Sequence, residues 1–196
     1  MTSRKSTIKR KTAETDIAMT LNLDGKGKAS ITTGVGFFDH MLTLFAKHGL
    51  FDLSIEATGD IHVDAHHTVE DIGICIGQAM VEALGDKKGI NRFGFFYLPM
   101  EEALAQISLD FSGRPWLEWR AKLPGEKCGD FDTGLGREFA RALVASAGLT
   151  LHVDLLAGED AHHCLEAIFK GLGRSLKTAV SHDPRGRGGL NLMGKM

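Results

Sequence analysis

Asp64-Ala65-His66-His67-Thr68-Val69-Glu70-Asp71 returns 96 residues later as Asp160-Ala161-His162-His163-Cys164-Leu165-Glu166-Ala167. If each copy opens a helix, its first histidine and its glutamate lie four apart on one face, and the second histidine, three before the glutamate, turns to a neighbouring face. One copy can therefore supply ligands to two different metal ions. The repetition runs past the motif. Glu70, Ile72 and Gly77 meet Glu166, Ile168 and Gly173 at the same offset, and upstream Gly49-Leu50 and Gly59 meet Gly148-Leu149 and Gly158 at an offset of 99. The second half thus lacks three residues of the intervening loop. These matches predict an internal duplication, each half made of a hairpin, a helix, a strand and a second helix. A half that small cannot cover both faces of its sheet, so the helices of the two halves are expected to share one core. The fold class is α+β, with the helices packed between two small sheets. The chain, 1–196, reads as a single domain of two repeats, about 4–88 and 89–180, followed by a tail, 181–196.

Within the first repeat, alternation at Ile17, Met19, Leu21 and Leu23 and then at Ala29 and Ile31, with Asp24-Gly25-Lys26-Gly27 between, predicts a hairpin. Asp39 reads as the N-cap of a helix over His40 to His48 that stops at Gly49. A strand over Leu50 to Ala57 precedes the first motif, whose helix runs to Gly85. Paired strands are expected in 89–120, a helix over Leu135 to Ala147 stopped by Gly148, and a strand over Leu149 to Asp154. The second motif then opens a helix through Phe169 and Leu176. From Ser181 onward no periodicity survives, and a segment ordered by a ligand or mobile is expected.

Composition narrows the partners. Twenty-three Lys and Arg against 25 Asp and Glu leave a net charge of -2, which gives no footprint for nucleic acid or a membrane surface. The expected partner is a small molecule. Cys75, Cys128 and Cys164 are odd in number and widely spaced, which argues for reduced thiols. The basic start of the chain leads into no apolar segment, and no stretch is long enough to span a bilayer, so a cytoplasmic location is expected.

His40, His48, His66, His67, Glu70, His152, His162, His163 and Glu166 are the candidate metal ligands. Imidazoles with carboxylates and no paired thiolates suit Mn, Fe, Zn or Ni in octahedral geometry. His152, on a strand, reads as support for the site or the core, and His62 and His182 as surface residues. The spacing differs from the zincin His-Glu-x-x-His, because adjacent histidines cannot both face one ion with the Glu as a base between them. Arg92 and Arg114 each adjoin a glycine in a turn-like context and are open between ordinary surface residues and ligand contacts.

Several pieces resemble one family, imidazoleglycerol-phosphate dehydratase. They are Arg10 to Thr15, Gly34 to Leu42, Asp64 to Asp71, Arg92-Phe93-Gly94, Asp110 to Pro115 and Asp160 through Glu166 to Lys170, and the likeness spans about residues 4–185. The resemblance implies a ribosomal protein S5 domain 2-like fold and a lyase of histidine biosynthesis that removes water from imidazole glycerol phosphate to give imidazole acetol phosphate. The substrate ring would be held as imidazolate between two Mn2+ ions, so that the adjacent hydroxyl can leave and the neighbouring C–H can lose its proton to a carboxylate. By the same resemblance one ion would take His40, His67, His162 and Glu166, and the other His66, Glu70, His163 and Glu138, a position often His in the family. Glu14 would be the acid/base, His48 and Lys170 catalytic residues that also contact the substrate, and Arg92 and Arg114 the phosphate clamp. The family usually ends in a Pro-Ser-Ser/Thr-Lys-Gly segment, which this chain replaces with Gly188 to Met196. The resemblance also implies a large homo-oligomer of twenty-four identical subunits with active sites at subunit interfaces. The alternative from another class is a metal-binding assembly or storage protein without turnover, which would need neither Glu14 nor an arginine clamp.

Overall fold

The computed structural model describes residues 4–183; the tail expected over 181–196 lies outside them from residue 184 on. The first half runs β1 (Lys5–Lys11), β2 (Thr15–Asn22), β3 (Ala29–Thr32), α1 (Gly36–Gly49), β4 (Asp52–Gly59) and α2 (His66–Leu84). The second runs β5 (Phe93–Met100), β6 (Ala103–Asp110), β7 (Trp116–Arg120), the short pair β8 (Lys127–Cys128) and β9 (Phe131–Asp132), then α3 (Leu135–Ala147), β10 (Thr150–Ala157) and α4 (Ala161–Val180). The two four-stranded sheets have the same topology, β1-β2-β4-β3 and β5-β6-β10-β7. In each, a tight antiparallel hairpin leads in, and the third and fourth strands run parallel because a helix carries the chain between them. The duplication expected from the paired motifs is therefore the fold.

Three local expectations need correction. The Asp24-Gly25-Lys26-Gly27 segment does not close a hairpin, since β4 lies between β2 and β3. The segment crosses the start of β4 instead, where Asp52 Oδ1 accepts the Lys26 and Lys28 N–H groups at 2.8 and 3.0 Å. Helix α1 begins at Gly36, three residues before Asp39, and Asp39 reaches back to the Thr33 N–H (3.0 Å) and hydroxyl (2.5 Å). Gly49 is the last helical residue, and Leu50 takes the left-handed turn at φ 55. Gly49 is small because a Cβ there would meet the Phe51 ring at 2.5 Å.

All four helices fill the space between the sheets, and they pair across the halves: α2 packs on α3 and α1 on α4. Both contacts are close. A Cβ on Gly77 of α2 would lie 2.9 Å from Leu143 O of α3, and one on Gly173 of α4 would lie 2.5 Å from Phe45 O of α1. The repeated glycine thus performs the same task twice, letting two helix backbones approach. Gly77→Val should destabilise the protein by about 2–3 kcal/mol through overpacking, read as the shift of its urea midpoint; an unchanged midpoint would contradict this close approach.

Where α1, α3 and α4 meet, Phe38, Phe139 and Phe169 form a buried ring cluster, with Phe38–Phe139 centroids 5.5 Å and Phe139–Phe169 centroids 5.2 Å apart. Each ring sits within three residues of a candidate ligand: His40, Glu138 or Glu166. Aromatic packing therefore sets where those polar side chains leave the core. No helix among the described residues is long and apolar enough to cross a membrane.

Candidate metal centre

Both motif helices start by the same local device. Asp64 Oδ1 accepts the His66 N–H at 2.8 Å, and Asp160 Oδ1 accepts the His162 N–H at 2.7 Å. A carboxylate two residues ahead thus satisfies a helix-start donor and complements the positive end of the helix dipole. The adjacent histidines are thereby held in the first turn, and the glutamate one turn on.

On the α1–α4 side, Glu166 is the hub. Its Oε1 lies 2.7 Å from His40 Nε2 and 3.3 Å from His162 Nε2, and its Oε2 accepts from Lys170 Nζ at 2.5 Å. The three candidate ligand atoms of His40, His162 and Glu166 all lie within 4.8 Å of one another. Burial alone would push the Glu166 carboxyl up, but the hydrogen bonds from Lys170 and His40 outweigh it and hold the group at about 2. His48 lies two turns along α1 from His40. Burial and then the positive charges of Arg174 and Lys170 hold its imidazole below the usual range, so it is neutral at pH 7 and can donate or accept a hydrogen bond.

On the α2–α3 side His66 and Glu70 stand on α2 and Glu138 on α3, but among the described residues their ligand atoms do not draw together as those of His40, His162 and Glu166 do. Arg141 bridges the two carboxylates, its Nη2 2.7 Å from Glu70 Oε1 and its Nε 2.8 Å from Glu138 Oε2. His66 and Glu138 line a cleft of about 1100 Å³, together with Phe37, Asp64, Asp132 and Arg137. Sequence reading passed over Arg141, although its place one turn after Glu138 is the usual spacing of a helical ion pair.

The second histidine of each pair turns away, as helical spacing requires. His67 Nδ1 lies 3.0 Å from Asp60 Oδ2, and His163 Nδ1 lies 2.8 Å from Glu102 Oε2. One copy of the chain therefore brings His40, His162 and Glu166 together without His67, and Glu70 and Glu138 together without His163. Glu14, in the β1–β2 turn, is on the His67 side: its main-chain oxygen accepts the Asp60 N–H at 3.1 Å. Its side chain is exposed.

Arg92 and Arg114 lie elsewhere. The Arg92 N–H donates to Ala179 O near the end of α4, 17 residues beyond His162, or about 25 Å along the helix axis. Its guanidinium holds Asp110 through Nε (2.6 Å) and Nη2 (3.0 Å). Arg114 is exposed in the β6–β7 loop, which joins Arg92 through a hydrogen bond from the Phe111 N–H to Arg92 O at 3.1 Å. The two arginines share one end of the molecule, opposite the histidine cluster of the same copy.

The donors fit a divalent cation such as Mn2+. They are imidazole nitrogens and carboxylate oxygens with no thiolate among them, and in the second cluster two carboxylates already converge on one positive group. A model of the imidazoleglycerol-phosphate dehydratase family matches residues 33–176. The chain belongs to the imidazoleglycerol-phosphate dehydratase family. The imidazoleglycerol-phosphate dehydratase of Methylorubrum extorquens is 58% identical over 182 residues, 93% of each chain. That of Acetivibrio thermocellus is 54% identical over 193 residues, 98% of this chain and 99% of the relative. Among solved structures, the Staphylococcus aureus imidazoleglycerol-phosphate dehydratase superposes with a TM-score of 0.83 at 45% identity, over 91% of this chain and 99% of its own. The Pyrococcus furiosus protein gives 0.81 at 38%, over 92% and 97%. Membership in the imidazoleglycerol-phosphate dehydratase family makes the chain a carbon–oxygen lyase.

Proposed function

We propose that this chain dehydrates imidazole glycerol phosphate to imidazole acetol phosphate in histidine biosynthesis, using two Mn2+ ions held between subunits. The observation that carries the reading is the His40–His162–Glu166 cluster; on the other helix pair Glu70 and Glu138 meet at Arg141. When bound, the two ions supply Lewis acidity that stabilises negative charge on the substrate's imidazole ring. His40, His67, His162 and Glu166 would hold one of them, and His66, Glu70, His163 and Glu138 the other.

The remaining work falls to the chain's own side chains. Arg92 and Arg114 hold the phosphate, His48 of α1 and Lys170 of α4 contact the substrate, and the Glu14 carboxylate moves the proton from carbon. Because His67 and His163 point away from the clusters of their own copy, and the arginines sit about 25 Å along α4 from His162, a complete site draws on several copies. A large homo-oligomer, twenty-four subunits in the family, meets that need. Phe93, Phe95 and Tyr97, each more than half exposed on the edge strand β5, offer apolar surface for such contacts. The compartment we infer is the cytoplasm, which suits three free thiols.

Purified chain loaded with Mn2+ should convert imidazole glycerol phosphate to the acetol phosphate, lose that activity to a chelator, and scatter light as a large particle. A metal-loaded particle without turnover would leave the storage alternative standing. Arg114→Ala, at an exposed position, should raise KM about 10- to 100-fold with kcat largely kept, as expected for removing charge-assisted hydrogen bonds to a phosphate. An unchanged KM would remove Arg114 from the clamp.

A further inference from the structure

We propose that Asp60 and Glu102 are positioning residues that hold His67 and His163 in the Nδ1–H tautomer, so that each imidazole presents Nε2 to a divalent cation. The inference rests on the two-metal reading above and extends it to residues outside the ligand set. In both copies of the motif the same ring nitrogen of the equivalent histidine donates to a carboxylate, at 3.0 Å in one and 2.8 Å in the other. A carboxylate can only accept, so the shared proton sits on Nδ1 and the Nε2 lone pair is left outward. Neither helical spacing nor the repeat demands this.

The two carboxylates are not equivalent in the duplication. Asp60 comes from the loop between β4 and α2, whereas Glu102 comes from the turn between β5 and β6. Two halves that share ancestry have filled the same role from different places, as expected if the role, rather than the inherited residue, is what must be kept. Stability is a poor explanation for Asp60, because its Oδ1 is buried with no hydrogen-bond partner among the described residues. Glu102 also accepts the Glu159 and Asp160 N–H groups at 3.3 and 3.0 Å, which ties it to the turn that starts α4.

The departure from symmetry has a chemical use. The counterpart of the β5–β6 turn in the first half is the β1–β2 turn, which carries Glu14. There the hairpin contributes only its main-chain oxygen, to the Asp60 N–H, and Asp60 holds the imidazole. The Glu14 carboxylate is thereby spared the role that Glu102 performs in the other half, and stays available to move a proton.

The test compares full-length, assembled wild type with Asp60→Asn, Asp60→Ala, Glu102→Gln and Glu102→Ala. Mn2+ affinity is measured by chelator competition and thermal stability on the metal-free proteins. The alanine variants should bind Mn2+ about 10- to 100-fold more weakly. The amide variants, which keep an acceptor without its charge, should fall between. Metal-free midpoints should move by no more than about 2 °C, as for exposed pairs, and excess Mn2+ should restore kcat. Unchanged Mn2+ affinity in all four variants overturns the inference while leaving the two-metal reading intact. So does a loss of affinity that merely tracks a fall in the metal-free midpoint. Wild-type protein that binds no divalent cation overturns both.

Discussion

Glu166→Gln should empty one of the two cation positions and lower turnover by about a thousandfold or more, the scale of losing a metal that stabilises transition-state charge. The isosteric amide keeps the shape of the side chain but removes the charge on which His40, His162 and Lys170 all converge. Lys170 is itself only 13% exposed, so the variant also strands an ammonium group that had a partner, a change that costs about 3–5 kcal/mol at buried pairs and less here because some solvent reaches it. Metal content per chain and kcat should fall together; two ions per chain with activity within tenfold of wild type would sink the assignment. A pH signature accompanies it. The Glu166 carboxyl is held at about 2, below its ordinary value, so the unfolded chain binds the proton more readily. The stability it contributes to the metal-free protein is complete above pH 4.5 and lost as pH falls toward 2. Glu166→Gln should flatten that part of the acid denaturation curve.

Glu14→Gln should do the opposite to the metals and the same to turnover: both ions and the assembly are kept while kcat drops about 10²- to 10⁴-fold, the contribution of a general acid or base. The turn that carries Glu14 does not depend on its side chain. Thr12 Oγ1 accepts the Glu14 and Thr15 N–H groups at 3.1 and 3.0 Å, and the Thr15 hydroxyl donates to Asp71 of α2 at 2.5 Å. The amide therefore changes proton transfer and leaves the backbone in place. Elemental analysis, light scattering and kcat measured together decide it, and a variant with kcat near wild type would end the acid/base role.

The duplicated motif was legible because a period of 96 residues, a shared glycine and helical spacing all point to one architecture, and α3 was bounded correctly at both ends for the same reason. The pairing of β3 was not legible: alternation marks a strand but does not name its neighbour, and a parallel partner lies across a whole helix. At the site, spacing within a helix separated the two histidines of each pair onto different faces. It could not reveal Asp60 and Glu102 as the partners of His67 and His163, because both arrive from turns, or Arg141 as the partner of Glu70, because it arrives from another helix. Nor could it separate Arg92 and Arg114 from the histidine cluster, since sequence order does not show which end of α4 their loops meet.

The crossed pairing of helices has a consequence for how the chain is made. Helix α1 finishes at Gly49 but rests on α4, which begins at Ala161, 112 residues later. During synthesis the first repeat emerges with one face of its helix uncovered and stays so until the last helix has left the ribosome. Closure is thus a late, long-range event, slow by its topology, and the nascent chain must be kept from aggregating meanwhile. The order of synthesis also means that Glu166, the hub of the first cluster, is added only after every other proposed ligand of that cluster is already in the chain.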